Sequence, residues 1–259
     1  MMKYYFLATA LPVLQIGMPP EISWEEFQNL LADNLILSDY KKAETMRRFY
    51  DIQNIRAFWK GVEIDYHGNL DAVELEDALV AREGLPGYVY DYIDQNDSFE
   101  LRISHFAALL NSYFMVESRE ADGFFKKYLR FEREWRLVLT GFRAKQLNRN
   151  LGIELQFEDP ADDLVAQILA QKDSKTYIPP DRYQVLTPLF EEYVNDPLGL
   201  FQALCEYRFS RIDEMLEVDL FSIDYVLGYM AKLITVEKWM ELDKQKGEEA
   251  LNKILPSNM

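Results

Sequence analysis

Histidine, cysteine and paired carboxylates are the side chains best able to do chemistry at neutral pH, and this chain supplies the first two sparingly. It has two histidines, His67 and His105, and one cysteine, Cys205. That leaves little for a His-based metal cluster or a Ser-His-Asp triad, so each histidine reads as a surface or interface side chain. Cys205 lies in LCEYRF, among apolar neighbours, and reads as a buried, inert thiol. A lone cysteine excludes an intrachain disulfide framework and suits a reducing cytosol. The eleven glycines are scattered singly, and no Gly-rich loop is present to cradle phosphate.

Carboxylates are plentiful, with Asp and Glu totalling 44. Two acidic loops approach the spacing of a calcium site. Asp65-x-His67-x-Asn69 is followed by Glu76 at the twelfth position, but Leu70 stands where the sharp turn needs glycine, and His67 replaces an oxygen ligand. Asp94-x-Asn96-x-Ser98 departs further, with Phe99 at the sixth position and His105 at the twelfth. Both read as solvated helix connections. No other spacing places a pair of carboxylates for acid-base work, so neither an enzyme nor a metal or organic cofactor is expected.

The strongest concentration of like charge is basic. The run from Phe124 to Asn150 carries eight Lys and Arg against Glu132 and Glu134, a net charge of 8 − 2 = +6 in a chain whose total is −16. Phe124, Tyr128, Phe131, Trp135, Val138 and Phe142 recur at steps of four and three, the stripe of one helical face. Lys126, Arg130 and Arg133 fall on the opposite side, with Arg136 and Arg143 on a flank. These five are the candidate partner-binding residues. Two uses of them stand open: neutralising acidic helices of the same fold, or docking an acidic partner.

The elements that must hold this spine read as helices throughout. Ser23 and Glu26 make a capping box for a helix with Phe27, Leu30, Leu31 and Asn34 on one side. Further helices are expected over about 39–59, ending at Gly61, and over 70–82, stopped by Gly84, Pro86 and Gly87. The pattern continues over 88–93 and 99–116. No proline intervenes between Pro86 and Pro160, which permits long helices through the middle of the chain. Gly152 is expected to stop the spine. Asp159-Pro160 should cap a helix to about Gln171, followed by a polar loop over 172–180. Thr187-Pro188 and Asp196-Pro197 open further caps, and Ser222-Ile223-Asp224 begins a last helix to about Leu255. Lys3 to Ile16 is a short helix or a strand. The fold expected is all-α, one multi-helical domain over 1–259 of roughly ten helices.

A net charge of −16 disfavours nucleic acid and anionic lipid as partners. The opening MMKYYFLATALPVLQIGMPP has a short apolar run, Lys3 as its one positive charge, and prolines at 12, 19 and 20. It reads as a buried first element rather than a signal peptide. No apolar stretch approaches the ~20 residues that span a bilayer.

An internal echo links several helices. Asp51-Ile-Gln-Asn54-Ile-Arg56 is followed by Lys60-Gly61, and Glu237 by Lys246-Gly247 at the same spacing. Glu134 with Arg143-Ala144 is a looser third copy, and Trp59, Trp135 and Trp239 accompany the three. Such an echo suits three related helical units, about 1–85, 86–152 and 153–259.

At these residues the chain resembles the C/d family of V-type ATPases, the three-unit helical proteins called C in archaea and bacteria and d in eukaryotes. The likeness lies in Asp51 to Gly61 and in Tyr229-Met-Ala-Lys232…Glu237…Leu242. In KYYFLATALPVL, PPEIS and FSIDYVLGYMAKL the chain is similar to a smaller bacterial family of undefined function that accompanies V-type ATPase operons. The resemblance implies a non-catalytic helical socket that couples the central stalk to the membrane rotor ring. Its place would be cytoplasmic, reaching the membrane through protein partners. A helical assembly or regulatory protein that binds another helical protein is the second reading, and a carboxylate-using enzyme a distant third.

Overall fold

The computed structural model describes residues 4–216 and 219–254, with side chains described as far as residue 242. Lys3 and the expected helix end at Leu255 lie outside the described residues, and the Lys246-Gly247 echo lies beyond the described side chains. Among the described residues the chain is all-α, with no strand. In order, the helices are α1 (Tyr5–Ala10), α2 (Trp24–Asn34), α3 (Leu37–Trp59), α4 (Ala72–Ala81), α5 (Gly87–Gln95), α6 (Phe99–Ser104), α7 (Phe106–Glu117), α8 (Gly123–Gln146), α9 (Leu151–Glu154), α10 (Asp163–Leu169), α11 (Leu186–Glu192), α12 (Pro197–Met215) and α13 (Ile223–Ile254). A short 3-10 turn, Asp181–Tyr183, precedes α11. The ambiguous N-terminal segment is therefore a helix, followed by extended chain.

Local signals set most of these boundaries. Ser23 Oγ accepts from the Glu26 N–H at 3.2 Å, and Glu26 Oε2 accepts from the Ser23 N–H at 2.9 Å, so the expected capping box starts α2. Asp71 and Glu74 close a second such box at α4. Asp196 caps α12 with Pro197 in its first turn. Gly61, at φ +65°, ends α3 in a left-handed conformation that favours glycine.

Four boundaries differ from expectation, each for a visible reason. The expected helix over 99–116 breaks at His105, whose ring Nδ1 lies 2.7 Å from Asn96 Oδ1 while its edge meets Phe157 at 5.1 Å. Helix α11 starts at Leu186, so Thr187-Pro188 lies inside its first turn instead of opening it as a cap, because the preceding 3-10 turn runs into the helix, with the Thr187 N–H donating to the Gln184 carbonyl at 3.0 Å. The spine ends at Gln146, with Asn148 at φ +51°, and Gly152 stands inside α9, its N–H taken by the Asn150 side chain at 2.8 Å. Asp162, not Asp159, caps α10, because Asp159 is spent on a local turn to the Ala161 N–H at 2.9 Å.

The helices gather into two compact units, residues 1–40 with 188–259, and residues 41–187. In the first, α12 packs along α13, and the α13 residues Val226, Leu227, Met230, Ala231, Leu233 and Ile234 are buried. Phe27 of α2 is fully buried, its ring 5.4 Å from that of Tyr229. Tyr4 O–H donates to the buried Asp39 Oδ2 at 2.5 Å, and burial, reinforced by that carboxylate, pushes the phenol up to about 12.

In the second unit α8 is the central element, with α7 and α10 packed against it. All six members of its aromatic stripe are buried, with Phe131 and Trp135 stacked at 5.9 Å. Burial extends past the stripe to Phe125, Leu129, Leu137 and Ala144, so α8 is covered around most of its circumference. At Gly141 a Cβ would collide with the Tyr177 ring, which rests edge-on against Phe142 at 4.9 Å. That buried ring makes part of the expected polar loop over 172–180 an apolar anchor. Trp135 is 8% exposed, and Trp135→Ala should cost about 3–5 kcal/mol through lost burial and the cavity left behind. Chemical denaturation measures it; a variant within about 1 kcal/mol of the parent contradicts a core role for the stripe.

Candidate functional site

The five candidate basic residues lie on one helix, but the fold sorts them into two groups. Arg133 points into the unit, where Nη2 donates to Glu158 Oε2 at 2.9 Å and Nη1 to Asp162 Oδ2 at 2.9 Å. Arg136 donates to Glu158 Oε1 and lies over the Phe114 ring at 5.8 Å. The Glu158 side chain is only 3% exposed, and the two arginines 17% and 20%. One buried carboxylate thus bridges two guanidinium groups, and Asp162 adds a second negative charge. The arginines in this pair of bridges are committed within the fold.

The electrostatics follow from that geometry. Burial opposes the charge on Arg133, but Glu158 and Asp162 outweigh it and hold its pKa above the ordinary value. For Arg136 burial wins, and Glu158 only partly restores the charged form. Both guanidinium groups remain protonated at neutral pH, since arginine starts above 12. Burial also opposes the charge on Asp162, yet the Val165 N–H and Arg133 together draw its pKa below the usual carboxylate range. Asp162 does two jobs with one carboxylate: Oδ1 caps α10 through the Leu164 and Val165 N–H groups at 3.0 and 3.2 Å, and Oδ2 takes Arg133.

The other three candidates face outward. Arg130, with its side chain 72% exposed, makes an i,i+4 pair with Glu134 at 2.9 Å. Glu134 is itself mostly buried, and also accepts from Arg182 at 3.0 Å and from the Tyr183 hydroxyl at 3.0 Å. Lys126 and Arg143 are exposed and have no ion pair among the described residues. No spacing in the sequence points to the partners Glu158, Asp162, Arg182 and Tyr183. The one hint is the acidic cluster at 158–163 directly after a strongly basic helix.

The Asp51-x-x-Asn54 motif also acquires a role. Asp51 Oδ1 accepts from the backbone N–H groups of Asn69 and Leu70 at 2.6 and 3.1 Å, and Oδ2 from the Asn69 side chain at 2.6 Å. Asn54 pairs twice with the Asp65 backbone, at 2.7 and 2.8 Å. A Cβ at Gly68 would meet Asp51 Oδ1 at 2.6 Å, so the close approach requires glycine there. The 65–70 loop is therefore held against α3 rather than solvated. His67 is fully buried, stacked on Tyr66 at 4.2 Å, which corrects the surface reading of that histidine. Its Nδ1 lies 2.6 Å from Asp65 Oδ1. Cys205 is buried, and burial pushes its thiol up to about 11, far from the thiolate needed for nucleophilic or redox work.

The Asp162 carboxylate yields a pH prediction. Its folded pKa is depressed, so its contribution is fully present above the unfolded value near ~3.9 and is lost as pH falls through the lower folded value. Asp162→Asn keeps the cap and removes the charge. Urea midpoints should show the parent more stable than the variant by a constant margin from pH 7 to about 4, closing at lower pH. A margin that persists unchanged to pH 2, or widens on acidification, contradicts the ion pair.

Comparison with known proteins adds a family. Three chlamydial relatives, each described as an uncharacterized protein, match over nearly the whole chain. That of Chlamydia muridarum (strain MoPn / Nigg) is 26% identical over 258 residues, covering 97% of each chain. That of Chlamydia trachomatis serovar D is 28% identical over 258 residues, again covering 97% of each. The relative in Chlamydia pneumoniae is 28% identical over 260 residues, covering 98% of each. No solved structure matches. A family described as "Protein of unknown function (DUF2764)" matches residues 1–257, and the chain belongs to that family.

Proposed function

We propose that the protein is a non-enzymatic helical docking protein associated with a V-type ATPase, where it engages the central stalk and rotor ring from the cytoplasmic side. The observation that carries this reading is the pair of C/d-like patterns, and both fall on long helices. Asp51 to Gly61 occupies the end of α3, and Tyr229 to Leu242 lies within α13. In the first pattern Asp51 and Asn54 fasten the 65–70 loop, and Gly61 terminates the helix, which supports it as a structural unit rather than a chance spacing. In the second, Lys232 pairs with Asp213 at 2.6 Å and lies 4.5 Å from the centre of the Phe209 ring.

Docking would fall to Lys126, Arg130 and Arg143, the candidates left facing solvent. Exposed pairs are worth only ~0.2–1 kcal/mol each, so these three would steer and orient a partner rather than hold it alone. The second reading, an assembly or regulatory protein for another helical protein, draws support from the internal commitment of Arg133 and Arg136, which leaves a smaller basic face. Lys126→Glu, Arg130→Glu and Arg143→Glu in one chain should leave the circular dichroism spectrum and melting behaviour close to the parent's. Pull-down from native membranes, read by mass spectrometry, should then lose the stalk and ring proteins that the parent retains. A parent that brings down no ATPase component contradicts the ATPase reading; a variant that retains them contradicts the role of this face.

A further inference from the structure

The first unit carries a feature unrelated to the basic spine. Residues 4–40 include five acidic residues, at 21, 25, 26, 33 and 39, and no Lys or Arg. Helix α2 divides its faces sharply: Trp24, Phe27 and Leu31 are buried, whereas Glu26, Asn29, Leu30 and Asp33, at steps of three, one and three, form the opposite face. That face and the linker after α1 enclose an open groove of about 530 Å³. Its apolar lining is supplied chiefly by Pro12, Ile22 and Leu30, and its charge by Glu21, Glu26 and Asp33. Among the described residues none of these carboxylates is paired with a Lys or Arg.

Two further observations bear on this groove. The linker that forms one side leaves Val13 84% and Met18 59% exposed, an apolar margin beside the acidic lining. The Tyr229 side chain is buried, and among the described residues its hydroxyl has no hydrogen-bond partner; burial, and to a lesser extent Tyr225 and the groove residue Glu21, disfavour ionisation of that phenol. A site with an apolar floor, three carboxylates that have no Lys or Arg partner among the described residues, and no positive charge in its lining is complementary to one kind of occupant.

We propose that this groove docks a basic segment of a partner protein, inserting an apolar side chain against Pro12, Ile22 and Leu30 while its Lys or Arg residues meet Glu21, Glu26 and Asp33. The interaction does not rest on the ATPase reading, and it involves residues distinct from the basic helix. An apolar anchor with a charged surround gives both register and salt sensitivity, because exposed charges are screened over about 10 Å at 0.1 M ionic strength. Glu26 also closes the capping box of α2 and is therefore left intact in the test.

The probe is a fluorescently labelled amphipathic helical peptide of about 15 residues with Leu at helical spacing and Lys elsewhere. An acidic counterpart and a lysine peptide lacking Leu serve as comparisons. Anisotropy titration of the full chain should show the amphipathic basic peptide bound most tightly, with affinity falling as salt rises. Glu21→Arg with Asp33→Arg should weaken it by about tenfold or more. Glu76→Arg with Glu83→Arg, which makes the same change in net charge at exposed sites of the other unit, should leave binding within about twofold. Equal losses in the two double variants, or equal binding of the peptide without Leu, would mean non-specific attraction to an acidic protein and overturn the proposal. Self-association of the parent that the groove variant abolishes would identify a second copy as the occupant, and overturns it too. Circular dichroism of both double variants confirms that the folds being compared are the same.

Discussion

A long helix covered around most of its circumference cannot leave its charges to water, and this constraint shapes the second unit. Helix α8 carries most of a basic run of net charge +6, yet its aromatic stripe and much of its flank are buried. An unpaired buried charge costs several kcal/mol, whereas a paired and hydrogen-bonded one is tolerated. Arg133 and Arg136 must therefore find counter-charges inside the fold. Glu158 serves both, and Asp162 completes the set. Since Asp162 is also the N-cap of α10, neutralising the spine and starting the next helix are one arrangement.

The same economy recurs at α3. Asp51 and Asn54 satisfy the backbone of the 65–70 loop, and the fit is close enough to demand glycine at 68. These two nodes account for the buried members of the charge and motif patterns. What remains at the surface is a short set of basic side chains on α8 and, in the other unit, an acidic groove beside α2.

Signals contained within a few residues were legible in advance. The Ser23–Glu26 capping box, the Asp196-Pro197 cap and the spine's stripe each depend on neighbours one to four residues apart, and each stands where the spacing places it. Signals that depend on distant partners were not. His105 breaks a helix because Asn96 and Phe157 hold it, and His67 is buried because a motif sixteen residues earlier closes over its loop. Asp159-Pro160 is a sound cap locally, but Asp162 gains Arg133 as well and prevails. Within the candidate site, periodicity located all five basic residues on one helix, yet could not separate Arg133 and Arg136 from Lys126, Arg130 and Arg143. That separation is decided by Glu158 and Asp162, 22 to 29 residues away along the chain.

The claim that buried ion pairing organises the spine is tested most directly by a double-mutant cycle on Arg136 and Glu158. Stabilities are measured for Arg136→Met, Glu158→Leu and the double variant by urea denaturation at neutral pH. Glu158→Leu leaves the buried Arg136 without its carboxylate and should cost on the order of 3–5 kcal/mol, whereas Arg136→Met leaves Glu158 still paired with Arg133 and should cost less. The double change removes both charges from that contact, so it should fall short of the sum of the single losses by about 1.5 kcal/mol or more. Single losses that add to within about 0.5 kcal/mol would mean the two groups stabilise the fold independently, contradicting the account.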